Sequence, residues 1–463
     1  MQCSDCDHEY LLAIFCKQRG VRASFAIGFP WLRGGTSKVE MKLVVHGLWH
    51  LGSVTAACCA RHFDVLGLDD DPARIARLQA GFAPLMEPGL DALIAEGIAA
   101  GLLRFTSDVT GVADADLLWV THDTPVDDAD VADVDAVLRS VRRSLPHLKR
   151  GTVVLVSAQL PVGTCRQLET EFSDLQFASS PENLRLGKAI NAFTRAERVI
   201  VGIRTERPRA ALEELFKPFT SQVLFMRTES AEMVKHALNS FLALSITFIN
   251  EVARLCEITG ADAFEVSQGL KSEPRIGPKA YLGPGTAFAG ATLARDIVTL
   301  SSLAERQGET LDLIPAIKRS NDRHRGWALR RLRAGGCVLR GRVVALLGLV
   351  YTPGTDTLRR SSAVELARGL VDEGAVVRAF DPAVRVLPAE LSSVALMDSV
   401  DGAIHGADVL VVCTEWPEFR AIDWSKALSG VGNLRVLDAN RYLEKQIATL
   451  PGVDYVSVGR PTP

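Results

Sequence analysis

KLVVHGLWHLG, residues 42–52, joins an apolar run, Leu43-Val44-Val45, to two glycines, Gly47 and Gly52. A strand that ends on one glycine and a helix that opens beside another form a turn whose backbone N–H groups suit a pyrophosphate. The next strand-like run, DVLGLD (64–69), closes on Asp69, 22 residues after Gly47. A carboxylate at that place reaches adenosine ribose hydroxyls and favours NAD over NADP, because it repels a 2′-phosphate. The middle position, usually glycine so that backbone can approach phosphate, is Trp49. Two outcomes are open: its Cβ holds the backbone away from phosphate, or its ring turns aside and packs. Trp49 at that position predicts NAD binding with weaker-than-usual affinity or a displaced pyrophosphate. Without its surroundings the turn is also compatible with a fold that binds nothing.

Working outward, alternation continues to about residue 210. Helical SVTAACCARHF follows the turn, then strand DVLGLD and helical ARIARLQAG and LDALIAEGIAAG. DLLWVTHDTP reads as a strand, DVDAVLRSVRRSL as a helix, and GTVVLVSA, LQFASSPE and RVIVGI as strands. Val-rich strands alternating with helices predict a parallel sheet covered on both faces. Residues 229–260 change texture: Met233, Ala237, Leu238, Phe241, Ile246, Ile249, Val252 and Leu255 recur at helical spacing and the run stops at Gly260. That predicts one long helix. Alternation resumes near 342 with RVVALLG, SAVELARGLVDEG, AVVRAFD, DVLVVCTE and LRVLDAN. The predicted fold is α/β, with two Rossmann-like domains flanking a central helical domain. Its boundaries are 41–228, 229–335 and 336–463. Residues 1–40, which lack periodicity before Met41, read as an extension.

The 463 residues exceed one core, and 47% hydrophobic with 23% charged is ordinary for a globular enzyme. A net charge of −3 gives no electrostatic reason for nucleic acid or an anionic membrane as partner. Nine scattered cysteines fit a reducing cytoplasm rather than a disulfide framework, and Cys3 and Cys6 lack a second pair for zinc, so no metal is expected. Lys235, His236, Asn239, Asn250 and Glu251 interrupt the longest apolar pattern and exclude a membrane span there. Asp5, Asp7 and Glu9 precede Tyr10–Cys16, where a secretory signal needs positive charge.

Further segments recur in order along the chain: MEPGL (86–90), DTP (123–125), LPVGT (160–164), SPENLRLGKA (180–189) and EMVKHALNSFLALSITFINE (232–251). RIG (275–277), YLGPG (281–285), LGLVYTPGTDTLRRSSA (347–363), FDP (380–382) and TEWPEF (414–419) follow. With these, residues 41–445 resemble the UDP-glucose/GDP-mannose dehydrogenase family of nucleotide-sugar dehydrogenases. The resemblance implies an NAD-dependent, four-electron oxidation of a sugar C6 alcohol to a carboxylate. It also implies NAD in the first domain, a UDP- or GDP-sugar in the last, and a homodimer built on the middle helix.

The implied catalytic residues are Lys235, Asn239, Asp296 and Glu182. Lys235 and Asn239 stand at i and i+4, on one helical face, where a cation and an amide can donate to a developing oxyanion. The resemblance further implies cofactor contacts at Gly47, Trp49, Gly52, Asp69 and Thr124. Substrate contacts are implied at Arg275, Tyr281, Gly285 and Arg359.

The departures are equally specific. Thr292 stands where the family has its nucleophilic cysteine, in AGATLARD (289–296). Leu186 replaces a second glutamate, Gln159 a threonine and Thr352 a lysine, and Ala287 and Ala289 replace glycines. A thiol has an ordinary pKa near 8.5 and a strongly nucleophilic thiolate; a threonine hydroxyl is far less acidic and needs a base. In sequence His236 stands beside Lys235 but about 100° around the helix from it, and no other histidine is near. Three readings remain: a nucleotide-sugar dehydrogenase that stops at the aldehyde or uses its hydrate, a dehydrogenase of another nucleotide-linked substrate, or a non-catalytic binder.

Overall fold

The computed structural model describes residues 41–461 apart from 128, 183, 291, 335 and 337. The extension expected at 1–40, with Cys3, Cys6 and the N-terminal acidic residues, lies outside the described residues. The first sheet has eight strands. In chain order with their helices these are β1 (Lys42–His46), α1 (His50–Cys59), β2 (Asp64–Leu68), α2 (Pro72–Gln79), α3 (Leu90–Ala99), β3 (Leu103–Thr106) and β4 (Leu117–Val120). They continue with α4 (Val134–Ser144), β5 (Val153–Val156), α5 (Thr164–Glu171), β6 (Gln176–Ser179), α6 (Ala189–Thr194), β7 (Val199–Ile203), α7 (Arg209–Phe216) and β8 (Val223–Met226). Strand order is β3-β2-β1-β4-β5-β6-β7-β8. The order reverses between β1 and β4, which opens a crevice above their C-terminal ends.

The central strands are buried on both faces, so they are continuously apolar: every residue of β4 and β5 is buried. Helix α1 is small-residue throughout, and Gly52 through Cys59 are all buried, because it packs on the sheet and also against α3 and α6. Two findings depart from the sequence reading. The β6–β7 pair is antiparallel, so the sheet is mixed; periodicity carries no information about strand direction. DLLWVTHDTP is a strand only to Val120, and Thr121–Pro125 leaves the ladder as a loop. Thr121 still donates to the His46 carbonyl, after which Pro125, lacking an N–H, could not extend the pairing.

Helix α8 (Thr228–Thr259) runs 32 residues and ends at Gly260, whose φ of +83° is the left-handed C-terminal stop that glycine adopts freely. Behind it lie α9 (Ala263–Ser272), α10 (Thr292–Arg306), α11 (Leu313–Arg325) and α12 (Trp327–Ala334). Ala243, Phe288, Ala294, Ile297 and Ile317 form the small core joining α8, α10 and α11. Several apolar positions of α8 face outward instead: Phe241 is 65% and Ile258 81% exposed, and Phe248 and Leu255 are exposed as well.

The second sheet contains β9 (Val343–Leu347), β10 (Val376–Phe380), β11 (Ala395–Leu396), β12 (Val409–Val412), β13 (Leu434–Asp438) and β14 (Val453–Val456). It is parallel throughout, in the order β11-β10-β9-β12-β13-β14. Among the described residues no helix is long and apolar enough to cross a membrane.

Candidate functional site

The crevice is built by three loops at strand ends. At the end of β1, Gly47 has φ +96°, and a Cβ there would lie 2.7 Å from the His122 side chain. At Gly52 a Cβ would fall 1.8 Å from the Gly47 carbonyl oxygen, so only glycine lets α1 start this close to the strand. Trp49 has φ −71°, which any residue adopts. Of the two outcomes left open for Trp49, the ring has turned aside: the Arg74 guanidinium sits 5.2 Å from the indole centroid. The first and last glycines let β1 and α1 approach closely, and the indole packs beside Arg74, the partner of Asp69.

At the end of β2, Asp69 is buried and already well supplied with donors. It accepts from the N–H groups of Leu48 (2.6 Å) and Asp71 (2.9 Å) and from Arg74 (2.7 Å). Arg74, on the first turn of α2, was not singled out from sequence; its signal is its place five residues after the acidic strand end. His50, on α1, bonds Glu87 at 2.8 Å, and Glu87 accepts from the Gly187 and Ala189 N–H groups at 2.8 and 2.9 Å. Burial raises the Glu87 pKa, but the hydrogen bonds from His50, Ala189 and Gly187 win and hold it below its ordinary value. The glutamate of MEPGL thus ties the cofactor turn to the loop after Glu182.

The chemistry gathers where α8 and α10 cross the ends of β5 and β6. Lys235 donates to the Glu182 carbonyl at 2.5 Å and to its carboxylate at 3.3 Å. Glu182 also accepts from the Leu184 N–H at 2.6 Å. Asp296, fully buried on α10, receives three donors: the amides of Asn239 and Gln159, and His236 at 2.8 Å. His236 reaches the Leu160 carbonyl with its other nitrogen at 3.1 Å. Both ring nitrogens of His236 thus lie within hydrogen-bond distance of oxygen atoms, Asp296 on one side and the Leu160 carbonyl on the other.

His236 is the residue that sequence reasoning passed over. It lies about 100° from Lys235, yet stands at i, i+3 to Asn239, and α10 brings Asp296 to the face those two share. A cavity of about 20 Å³, room for one water, is lined by Gln159, Lys235, His236, Glu232 and Ser157.

Gln159, one of the departures from the family pattern, links Asp296 to Arg295. Its amide donates to Asp296 while its oxygen accepts from Arg295, the residue before Asp296. Arg295 donates in addition to the Thr124 carbonyl at 2.9 Å, and the Thr124 hydroxyl donates to the Gln159 carbonyl at 2.8 Å. Thr292 begins α10 and is exposed, one turn before Asp296 on the same face. Described cysteines offer no substitute nucleophile. Burial raises the thiol pKa of Cys58 and Cys413 to about 12 and that of Cys59 and Cys165 well above the ordinary range. Among the described residues no group of acidic, histidine and cysteine side chains could hold a metal.

The substrate-side residues divide. Gly285 is buried in the fold: its N–H donates to Asn250 at 3.0 Å and its carbonyl accepts from His324 at 2.8 Å. Arg359 lies across the crevice from Asp123, 3.7 Å away. Arg275 is exposed and paired with Glu273 at 2.8 Å, and Tyr281 is exposed; neither hydrogen-bonds to the network around Asp296.

Comparison with known proteins follows the same three blocks. Residues 41–220 match the NAD binding domain of the UDP-glucose/GDP-mannose dehydrogenase family, 229–323 its central domain and 345–445 its UDP binding domain. The chain is 34% identical over 440 residues to the UDP-glucose 6-dehydrogenase of Rhizobium meliloti, covering 91% of this chain and all of that one. It is 34% identical over 447 residues to the Pseudomonas aeruginosa enzyme of the same name, covering 91% and 98%. Among solved structures, a UDP-glucose dehydrogenase from Pyrobaculum islandicum is similar with a TM-score of 0.82 at 30% identity, covering 92% and 100%. A UDP-D-ManNAc dehydrogenase from Pyrococcus horikoshii is similar with a TM-score of 0.80 at 26% identity, covering 91% and 100%.

Proposed function

The chain belongs to the UDP-glucose/GDP-mannose dehydrogenase family, and on that premise we propose that it is an NAD-dependent oxidoreductase of the C6 alcohol of a UDP- or GDP-sugar. The carrying observation is the donor pair Lys235 and Asn239 beside Glu182 and Asp296. Gly47–Gly52 and Asp69, with Thr124, would hold NAD, which would supply a hydride acceptor. The residues of the chain do the rest.

An ammonium has three donors and Lys235 spends two on Glu182; a carboxamide has two and Asn239 spends one on Asp296. One donor remains on each for the oxygen of the alcohol, where alkoxide charge develops. Asp296, saturated by three donors, orients Asn239 and His236 rather than moving protons itself. Glu182, half-buried beside Lys235, takes the alcohol proton.

A second oxidation by way of a thiohemiacetal has no thiol to form it at this place. Thr292 has no hydrogen-bonded base among the described residues, so the reaction stops after one hydride transfer and the aldehyde, or its hydrate, is released. A non-catalytic nucleotide-sugar binder is the second reading, favoured by the exposed Thr292 and by Leu186 where the family has a glutamate. We further propose a homodimer through α8. Met233, Phe241 and Leu244 line an apolar groove of about 550 Å³ with Leu300, Leu303 and Ile314, and a second copy would cover it. Sedimentation equilibrium at the mass of one chain would contradict that. The scattered cysteines fit a cytoplasmic setting.

The site is tested with Lys235→Met and Asn239→Leu. Each is expected to lower kcat by roughly 10²–10³ while leaving NAD affinity within about twofold. Turnover retained in both variants would remove the donor pair from the mechanism.

A further inference from the structure

The loop after β4, Thr121–Pro125, lies across the switch point from the cofactor turn. Most of its polar side chains are committed inward. Thr121 donates to the Gly47 carbonyl at 2.8 Å, His122 packs its ring 4.5 Å from that of His46, and Thr124 bonds the Gln159 carbonyl at 2.8 Å. Asp123 turns the other way, into the cleft. Its side chain is 43% exposed, and its ion-pair partner, Arg359, stands at 3.7 Å, beyond a hydrogen bond.

The charged groups that face it come from four elements: Arg295 on α10, Arg359 from the second α/β domain, Glu182 after β6 and His50 on α1. Burial, with Glu182 adding to it and the two arginines opposing, pushes the Asp123 carboxyl above its ordinary pKa. A carboxylate kept in a cleft against that cost, with no hydrogen-bond donor among the described residues, suits a ligand that brings donors.

Strand order says which part of the ligand. A dinucleotide crosses the crevice at the point where the order reverses. Its adenosine ribose belongs at Asp69 on β2 and its pyrophosphate at Gly47–Gly52 on β1. The next strand is β4. β2 and β4 stand two strand spacings apart, about 10 Å, with the pyrophosphate turn between them. Asp123, three residues past the end of β4, therefore lies on the far side of the turn, while Asp69, one residue past the end of β2, lies on the near side.

We propose that Asp123 accepts hydrogen bonds from the hydroxyls of the nicotinamide-side ribose and so positions the hydride-accepting half of the cofactor. Nothing in the family resemblance singles out this residue; DTP served only as a marker. The inference rests on the NAD-dependent reading above. It differs from a purely structural role, in which Asp123 merely pairs with Arg359 to join two domains.

Calorimetric titration of the full chain separates the two. Asp123→Asn is expected to weaken NAD binding about tenfold or more, the worth of a hydrogen bond to a charged group. AMP, which ends before the second ribose, is expected to bind both proteins within twofold, and that result also shows that the variant is folded. The decisive ligand is the NAD analogue lacking the 2′-hydroxyl on the nicotinamide-side ribose. It should bind the wild-type protein more weakly than NAD does, and the Asp123→Asn penalty should largely vanish with it. An equal penalty for NAD and the deoxy analogue, or for NAD and AMP, would overturn the assignment, as would unchanged NAD affinity. A wild-type chain that binds neither AMP nor NAD would instead sink the cofactor reading, and this inference with it.

Discussion

At the scale of single residues, Thr292 is the sharpest test of how much chemistry survives a departure. It begins a 15-residue helix, α10, one turn before Asp296. A thiol at that place would sit at a helix N-terminus, where the dipole favours the thiolate. Thr292→Cys is therefore expected to raise the NADH formed per sugar from one toward two, counted by absorbance against consumed substrate. No change in that count would mean that Gln159, Arg295 and Leu186 have also remade the pocket. Lys235, Asn239 and Asp296 were legible as a constellation because the resemblance aligned them one by one. His236, Gln159 and Arg74 were not legible as partners. The first two act through contacts between segments far apart in sequence: 60 residues for His236 and Asp296, 137 for Gln159 and Asp296. Arg74 was hidden for another reason, since a basic residue on a first helical turn ordinarily faces solvent.

At the scale of elements, α8, α11 and the loop around Gly285 carry a pH dependence. Burial lowers the pKa of His324, on α11, to about 4, while its ring holds the Gly285 carbonyl. A histidine whose folded pKa lies below its unfolded value of about 6.5 binds protons more readily when unfolded. Its contribution to stability is present above pH 6.5 and is lost as pH falls toward 4, by at most about 3 kcal/mol. Thermal unfolding followed from pH 7 to 4 should show the melting temperature falling through this window, with a shallower fall in His324→Gln. Equal slopes in the two proteins would contradict the assignment. The helices and central strands were readable from periodicity because burial on one face or both imposes it. The antiparallel β6–β7 pair and the end of β4 at Val120 were not, since direction and ladder length depend on neighbouring strands. The apolar stripe of α8 predicted a helix correctly, but periodicity alone could not say that Phe241, Leu255 and Ile258 face away from the chain's own core.

At the scale of the whole molecule, contacts from both later domains converge on the loop between β4 and α4. Arg360, in the second α/β domain, pairs with Asp130 and with the Asp127 carbonyl, and Lys318 of α11 stands 3.5 Å from Asp130. Asp130 and Arg360 both hold left-handed backbone, φ +65° and +56°, a cost that non-glycine residues bear where surrounding contacts impose it. Such contacts tie the loop between β4 and α4 to α11 and to the second α/β domain, and the proposed function has a cofactor and a nucleotide sugar meeting near Lys235. On the proposed reading an alcohol is still oxidised there although Thr292 stands where the family has its nucleophilic cysteine. The direct measurement is the NADH formed per molecule of nucleotide sugar, over a panel of UDP- and GDP-sugars with NAD in excess. The account predicts NADH production with at least one sugar, at close to one per molecule, with the aldehyde or its hydrate as product. No NADH with any sugar, from protein that binds both NAD and the sugar nucleotide, would contradict it.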